Sequence, residues 1–330
     1  MDYKRCPTKW YFHWRLGLVP KTKSFGALDL GEWMHQALGG WYLQGTERQG
    51  NLADLFIHFS GLAIASAKRE GAPEAQLEKA EELQALGIAM AGAYQEHYST
   101  DKDIRVISAE LPLEFTFPSL GIRGEGTKVI HRLKPDLVYA DLSDDVWLME
   151  HKTAASIRTE HLVIDDQARP YGAMAARALD RLGLLRGRRF KGIMYNFLRK
   201  ALPDERDKNE KGQYLNKNGT VSKRQPPPLF VRHPVLLSRN ARRVTLERIR
   251  RETTEIVDVT RQLQSKRLDP LELPKTPHRS CPRFCDYFTM CTMQENGVDT
   301  KAFMKAQYIR QDPYLYDEDS TEDRASFEMA

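Results

Sequence analysis

The sequence predicts an α/β fold, in which helices flank a central sheet. Three observations predict it: apolar residues recur at helical spacing within 26–98, residues 134–154 have the pattern of a β-hairpin, and 191–198 form a run of apolar β-formers. A helical segment separates the hairpin from that last run. With 330 residues, 41% of them hydrophobic, the chain is long enough to bury a full core.

The first element is an amphipathic helix around "GEWMHQALGGWY", residues 31–42. Its apolar residues fall at i, i+3, i+4, i+7, i+8 and i+11, and they are Leu30, Trp33, Met34, Ala37, Leu38 and Trp41. His35 lies at the border of this stripe. A border histidine is commonly just a solvated residue, so it needs a partner elsewhere to become a candidate ligand.

The next elements are strands. "IRVISAELPLEFTF" (104–117) is the first, and two β-prone runs, 137–140 and 146–152, flank the turn-forming "DLSDD". If the turn is centred on Ser143, residue i pairs with residue 286 minus i. Asp136 then lies opposite Glu150, with Cβ atoms about 4.5 to 5.5 Å apart. Because strand side chains alternate, Glu150 and Lys152 share one face.

Two opposed carboxylates would destabilise a sheet unless a cation offsets their repulsion. Carboxylate oxygens suit Mg²⁺ or Mn²⁺. Lys152, two residues after Glu150, could align an attacking water and neutralise charge on a phosphorane-like transition state. The alternative is a surface hairpin whose Glu150 and Lys152 simply pair in solvent.

A second helix is predicted around "DDQARPYGAM", residues 165–174, where Gln167 and Tyr171 are spaced i and i+4 and therefore point the same way. Pro170 requires that this helix begin close to Asp166 or be kinked. The strand at 191–198 follows, then a long polar loop at 202–228 that could cover a DNA channel. A strand at 229–237 and a charged helix at 239–266 complete the order of elements.

The chain has four cysteines, namely Cys6, Cys281, Cys285 and Cys291. The start of the sequence is charged and has no apolar signal region, so we expect no disulfide framework. Three thiols within eleven residues suggest a metal or cluster site. Structural zinc, an iron-sulfur cluster and four unrelated buried thiols all stay open on spacing alone.

Together, Pro135-Asp136, Glu150-x-Lys152 and Gln167-x₃-Tyr171 resemble motifs of the PD-(D/E)XK nuclease superfamily. His35 upstream and the flanking cysteines make the chain more similar to its RecB-like branch, which includes CRISPR-associated iron-sulfur exonucleases and the AddB nuclease domain. The resemblance spans roughly residues 5–291. It implies a restriction-endonuclease-like core with a central mixed sheet.

The resemblance also implies roles for particular residues. These are catalytic Asp136, Glu150 and Lys152; metal-binding His35, Asp136, Glu150 and the His151 backbone carbonyl; and substrate-binding Gln167 and Tyr171. It further implies a 4Fe-4S cluster that joins the chain ends and is held by Cys6, Cys281, Cys285 and Cys291. The C-x₃-C-x₅-C spacing departs from the commoner C-x₂-C first step, and zinc is the alternative occupant.

We expect one nuclease domain over residues 1–310, with a helical insertion at 26–98, and an acidic disordered tail at 311–330. The tail holds seven acids and one base, so the remaining chain carries a net charge of +11 although the whole carries only +5. A basic body attracts phosphates. Residues 177–191 are the densest basic patch, either a DNA track or a solvated helix face. The tail is either a solubilising segment or one that mimics nucleic acid or binds a partner.

The function we expect is a Mg²⁺- or Mn²⁺-dependent exonuclease acting on single-stranded DNA or DNA with free ends. Its setting would be recombination, repair or phage DNA processing in the cytoplasm of a bacterium or phage-infected host. The longest apolar stretch, at 55–67, is too short for a membrane span. The alternatives are a DNA-binding subunit of a helicase, recombination or CRISPR adaptation complex, with secondary or no cleavage, and a zinc-stabilised endonuclease.

Overall fold

A computed structural model of the chain describes residues 2–21, 25–43, 50–99, 101–117 and 129–312. The helices are α1 (Asp2–Arg5), α2 (Pro7–Trp10), α3 (Ala27–Leu43), α4 (Leu52–Arg69), α5 (Glu74–Tyr98), α6 (Ala168–Arg181), α7 (Arg239–Gln264), α8 (Cys281–Phe284), α9 (Phe288–Glu295) and α10 (Lys301–Gln307). The strands are β1 (Leu18–Pro20), β2 (Arg105–Ala109), β3 (Leu113–Thr116), β4 (Ile130–Leu133), β5 (Leu137–Ala140), β6 (Val146–Ala154), β7 (Phe190–Arg199), β8 (Phe230–Leu236) and β9 (Tyr308–Arg310). The acidic tail is predicted at residues 311–330. Residues 313–330 of it lie outside the described residues.

The central sheet has five strands in the order β2-β5-β6-β7-β8. β6 and β7 are parallel, and the other neighbouring pairs are antiparallel. Parallel neighbours need a crossover connection, and α6 supplies it between β6 and β7. The mixed sheet with flanking helices confirms the predicted α/β fold class.

Helices α3, α4 and α5 form a layer against one face of this sheet. The core between them buries the predicted apolar stripe of α3 together with Leu137, Tyr139, Trp147 and Met149 from the hairpin. The periodicity of α3 is therefore confirmed, because the stripe packs on the sheet. Among the described residues, no helix combines the length and the hydrophobicity that crossing a membrane requires.

The predicted strand at 104–117 is wrong in one respect, because it is two strands in different sheets. β2 joins the central sheet, whereas β3 pairs with β4 in a separate two-stranded sheet. Glu110, between them, has a φ of 52°, which an extended strand does not allow, and Pro112 lacks the N–H of a ladder residue. Strand β4 was not among the predicted elements.

By its contacts the chain divides into two compact units, and the central sheet and α3 to α6 lie in the larger one. The smaller unit includes residues 2–21 and 249–312. In it β1 pairs with β9, and the two strands pack beside buried Phe12, Tyr287 and Met290. The single domain expected over residues 1–310 stays a prediction.

Candidate functional site

The predicted hairpin register is confirmed. Every paired position of β5 and β6, from Leu137 with Met149 to Ala140 with Val146, has residue numbers that sum to 286. One step further, the register sets Asp136 opposite Glu150. Both residues are buried, with 7% and 4% of their surface exposed. Asp136 Oδ2 accepts a hydrogen bond of 2.6 Å from the His151 backbone N–H, so strand β6 itself orients this carboxylate.

His35 reaches the same place from α3. Its Nδ1 lies 3.4 Å from Asp136 Oδ1, and its side chain is 28% exposed. Burial lowers the pKa of His35, but the charge of Asp136 and the contact with it more than offset that effect, so the pKa lies above its usual value. The border histidine of α3 therefore has the partner that a merely solvated residue would lack.

Lys152 and Gln167 form a closed set of contacts around Glu150. Lys152 Nζ donates to Glu150 Oε1 and to Gln167 Oε1, each at 2.8 Å. Gln167 Nε2 donates to the same Glu150 oxygen at 2.6 Å. Charge-assisted bonds of this length are among the stronger hydrogen bonds in proteins. The structure thus brings together a carboxyl, an ammonium and an amide that lie on two elements.

Gln167 is held in place by a residue that the sequence analysis missed. Asp165 Oδ1 accepts from the backbone N–H groups of Gln167 and Ala168, at 2.8 and 2.9 Å, and from Tyr195 Oη at 2.7 Å. A carboxylate in this position satisfies free N–H groups at a helix start. An Asp just before a predicted helix is a usable sequence signal, whereas Tyr195, on β7, gave none. Because α6 begins at Ala168, Pro170 falls in its first turn, as predicted.

Tyr171 contacts the backbone of Lys134. Its hydroxyl lies 3.3 Å from both the backbone nitrogen and the backbone oxygen of Lys134. It therefore braces the turn that leads into Pro135-Asp136. Burial, and secondarily the charge of Glu150, raises the pKa of Tyr171 to about 12, so the hydroxyl stays protonated and can donate.

A buried polar network backs β6 on the opposite face from Glu150. The His151 ring is fully buried, stacks on Tyr42 and lies 2.8 Å from Asn196 Nδ2. Asn196 donates to Tyr94 Oη at 2.8 Å, and Tyr94 Oη lies 2.9 Å from Tyr42 Oη. Burial lowers the pKa of His151 to about 3, so this imidazole is neutral.

Arg232 closes the network. It makes a two-pronged contact with Asp101, at 2.9 and 2.7 Å, and lies over the Tyr98 ring at 3.8 Å. The same guanidinium donates to Tyr42 Oη at 3.2 Å. A paired and stacked arginine is the form in which a protein tolerates a buried guanidinium. No local pattern in the sequence links Arg232 to Asp101, because the two residues are 131 positions apart.

The two opposed carboxyls differ in charge. Burial opposes ionisation of Asp136, but the charge of His35 and the contact with it outweigh burial and lower the pKa of Asp136 to about 2. Burial and then the Asp136 charge raise the pKa of Glu150 to about 7. When two carboxyls are held close together, ionisation of one raises the pKa of the other. Pairs whose pKa values are separated in this way are common at functional sites.

The donor set fits a divalent cation. Asp136 and Glu150 offer oxygen, His35 offers nitrogen, and the buried Glu150 Oε2 has no hydrogen-bond partner among the described residues. A buried carboxylate oxygen without a partner is costly unless something binds it. Within the described ranges, no three His, Cys, Asp or Glu side chains are arranged as a ready metal site. The site therefore supplies oxygen and nitrogen donors for a cation, but these donors are not preassembled into a complete coordination shell in the described residues.

The four cysteines are free, partly buried thiols of the smaller unit. Burial raises the pKa of Cys291, and charges on Cys6 and Cys281 raise it further. Burial likewise raises the pKa of Cys285, with a contribution from Cys281. Cys285 and Cys291 pack against the same small apolar cluster, which includes Phe12 and Tyr287, and the described residues hold no preformed metal geometry there.

The comparison with known families agrees with this geometry. A model of the PD-(D/E)XK nuclease superfamily matches residues 1–292. No curated protein sequence matches the chain. The family match covers most of the 330 residues and includes Pro135-Asp136, Glu150 and Lys152. The chain therefore belongs to the PD-(D/E)XK nuclease superfamily, whose members cleave nucleic acids.

Proposed function

We propose that the chain is a divalent-metal-dependent deoxyribonuclease that hydrolyses phosphodiester bonds at DNA ends, with single-stranded DNA as its preferred substrate. One observation carries the proposal: two buried carboxyls, Asp136 and Glu150, oppose each other with the Lys152 ammonium 2.8 Å from Glu150. Membership of the superfamily supports nucleic acid hydrolysis. The preference for ends and single strands rests on the resemblance to RecB-like exonucleases.

Asp136, Glu150, His35 and the His151 backbone carbonyl would hold Mg²⁺ or Mn²⁺. When bound, such a cation neutralises charge on the scissile phosphate and makes a neighbouring water more acidic. The unpartnered Glu150 Oε2 supports this assignment, since it is the buried atom that a cation would satisfy. In the metal-free protein the raised pKa of Glu150, about 7, favours its protonated form below neutral pH.

Lys152 aligns the attacking water and offsets the negative charge that develops on the phosphate oxygens. The Gln167 side-chain amide accepts from Lys152 and donates to Glu150, so it holds these two side chains next to each other. Gln167 and Tyr171 are the predicted contacts to DNA near the scissile phosphate. Tyr171 additionally fixes the backbone of Lys134, two residues before Asp136.

Cys6, Cys281, Cys285 and Cys291 would hold a 4Fe-4S cluster with a structural role, and zinc is the less favoured occupant. All four thiols are free and belong to the smaller unit, which supports the assignment. Iron analysis and visible absorbance of anaerobically purified protein test it. A colourless protein with bound zinc would exclude the cluster. The biological setting that we propose is recombination, repair or phage DNA processing.

The test of hydrolysis is degradation of end-labelled single-stranded DNA with Mn²⁺, with and without EDTA. Lys152→Ala should lower the rate about 100- to 1000-fold, the usual cost of removing a group that stabilises transition-state charge. Lys79→Ala, an exposed lysine of α5, is the matched control and should leave the rate unchanged. Circular single-stranded DNA should resist digestion. Equal rates for wild type and Lys152→Ala would contradict the assigned role.

A further inference from the structure

Residues 204–225, which we call the polar lobe, connect β7 to β8 and contain a structural repeat that the sequence analysis missed. Gly212 N–H donates to Asn209 O, and seven residues later Gly219 N–H donates to Asn216 O, both at 2.8 Å. The two glycines have φ values of 74° and 78°, in the left-handed region that each turn requires. Isolated bridges at 208 with 214 and at 215 with 221 obey the same seven-residue shift.

Arg206 fastens the base of the polar lobe. Its guanidinium pairs with Asp204 at 2.9 and 2.6 Å and donates to Ser222 Oγ at 3.0 Å and Arg224 O at 3.2 Å. Gln225 donates to Tyr214 O at 3.0 Å and accepts from Tyr214 N at 2.9 Å. These bonds join the beginning and the end of the lobe, so its shape is set before any ligand arrives.

The polar lobe adds almost nothing to the hydrophobic core. All of residues 204–225 are described, and Ser222 is the only one of them that is buried. Conformational entropy makes ordering such a segment costly, and burial does not repay that cost here. Long ordered connections without a core contribution are usually functional. The polar lobe carries six bases and four acids; Arg206 is the base that pairs with Asp204, and the other five bases are exposed.

The polar lobe leaves the sheet at the edge that holds the candidate active site. β6 and β7 are parallel, with Lys152 beside Phe197, and the chain departs from the sheet just after Arg199. Lys200 N–H donates to Ala154 O at 2.8 Å, so the connection starts against the end of β6. Ligands of open α/β sheets bind at the carboxyl ends of parallel strands, which is this edge.

The basic patch predicted at 177–191 lies at the opposite edge, because it joins the end of α6 to the start of β7. Several of its charges are already neutralised within the protein. Asp145 pairs with Arg189 at 2.7 Å and with Lys191 at 2.8 Å, and Asp144 lies 3.8 Å from Arg188. Half of the six bases in this patch therefore pair with acids of the hairpin turn.

We propose that the polar lobe binds the phosphate backbone of the nucleic acid substrate beside the scissile position. This inference rests on the proposed function for its substrate and adds a binding surface to it. Lys211, Lys217 and Lys223 are exposed and provide the contacts. Lysines bind phosphates as point charges, without base specificity, so the lobe increases affinity for any sequence.

The test compares two triple variants in the Lys152→Ala background, with EDTA present so that no DNA is cleaved. The lobe variant is Lys211→Gln, Lys217→Gln and Lys223→Gln. The control is Arg177→Gln, Arg181→Gln and Arg186→Asn, three exposed arginines at the opposite edge; asparagine is used because residue 186 has a φ of 48°. Binding of fluorescent single-stranded oligonucleotide is measured by anisotropy across a range of KCl concentrations.

Each phosphate contact contributes about 0.7 to the slope of log K against log salt for single strands. The lobe variant should therefore lose about 2 in slope and about 100-fold in affinity at roughly 0.1 M salt, while the control should change little. An unchanged slope in the lobe variant, an equal loss in the control, or no DNA binding by the parent would overturn the inference. Lobe-dependent binding without cleavage by wild type would refute only the proposed hydrolysis.

Discussion

Glu150→Gln should stabilise the metal-free protein at pH 8 but not at pH 5. Burial, followed by the charge of Asp136, raises the pKa of Glu150 from its usual 4.5 to about 7. At pH 8 the native protein therefore holds a buried, unfavourable carboxylate at this position. Glutamine has the same shape and keeps an oxygen for Lys152 and Gln167, so the change removes mainly the charge.

The magnitude follows from that shift. A folded pKa above the unfolded value gives a stabilising contribution that is complete below about pH 4.5 and is lost as the pH rises through about 7. A shift of this size corresponds to roughly 3 kcal/mol in the free energy of unfolding. Wild type should therefore lose roughly 3 kcal/mol relative to Glu150→Gln across that range. Any pH-independent cost of the amide cancels in the comparison.

Urea unfolding in EDTA at pH 5 and pH 8 measures this difference. Glu81→Gln, an exposed position on α5, is the control and should show no such pH dependence. Mn²⁺ at about 1,000 times its Kd should then reverse the order at pH 8, because it stabilises wild type by about 4.1 kcal/mol and the variant loses a ligand. If Glu150→Gln differed from wild type equally at both pH values, the reasoning about this carboxyl would be refuted.

Two further predictions concern the supports of the site. Tyr195→Phe and Asp165→Ala should each cost about 1 to 2 kcal/mol, and their double mutant should cost less than the sum, because both changes remove the same hydrogen bond from Tyr195 to Asp165. Urea titration of the four proteins checks this, and simple additivity would contradict it. Arg232→Met should lower the free energy of unfolding by about 3 kcal/mol, since it leaves Asp101 as a buried charge, and adding Asp101→Asn should restore part of that loss.

Short stretches of sequence were enough to predict those features that depend on neighbouring residues alone. The turn residues and alternation around Ser143 fixed the register that sets Asp136 against Glu150, and that register is observed. The fixed backbone of Pro170 placed the start of α6 within two residues. The apolar spacing around His35 identified the face of α3 that packs on the sheet.

Features that depend on residues far apart in sequence were not predictable. Arg232 finds Asp101 across 131 positions, and Tyr195 finds Asp165 across 30, so no local pattern links the members of either pair. Charge density alone left open whether 177–191 is a DNA track or a solvated helix face, because it does not show which bases are already paired. The dense patch at 177–191 is partly neutralised by hairpin acids, whereas the sparser polar lobe keeps its lysines exposed.

The supports of Glu150 come from segments made at different times during translation. When the ribosome has completed β6, the chain already contains His35, Asp136, Glu150 and Lys152, yet Gln167 and the parallel neighbour β7 have still to be synthesised. A nascent chain at that stage lacks both the amide that holds the lysine and the strand that buries its surroundings. We therefore expect the nascent chain to be inactive until the crossover helix α6 and strand β7 have emerged from the ribosome.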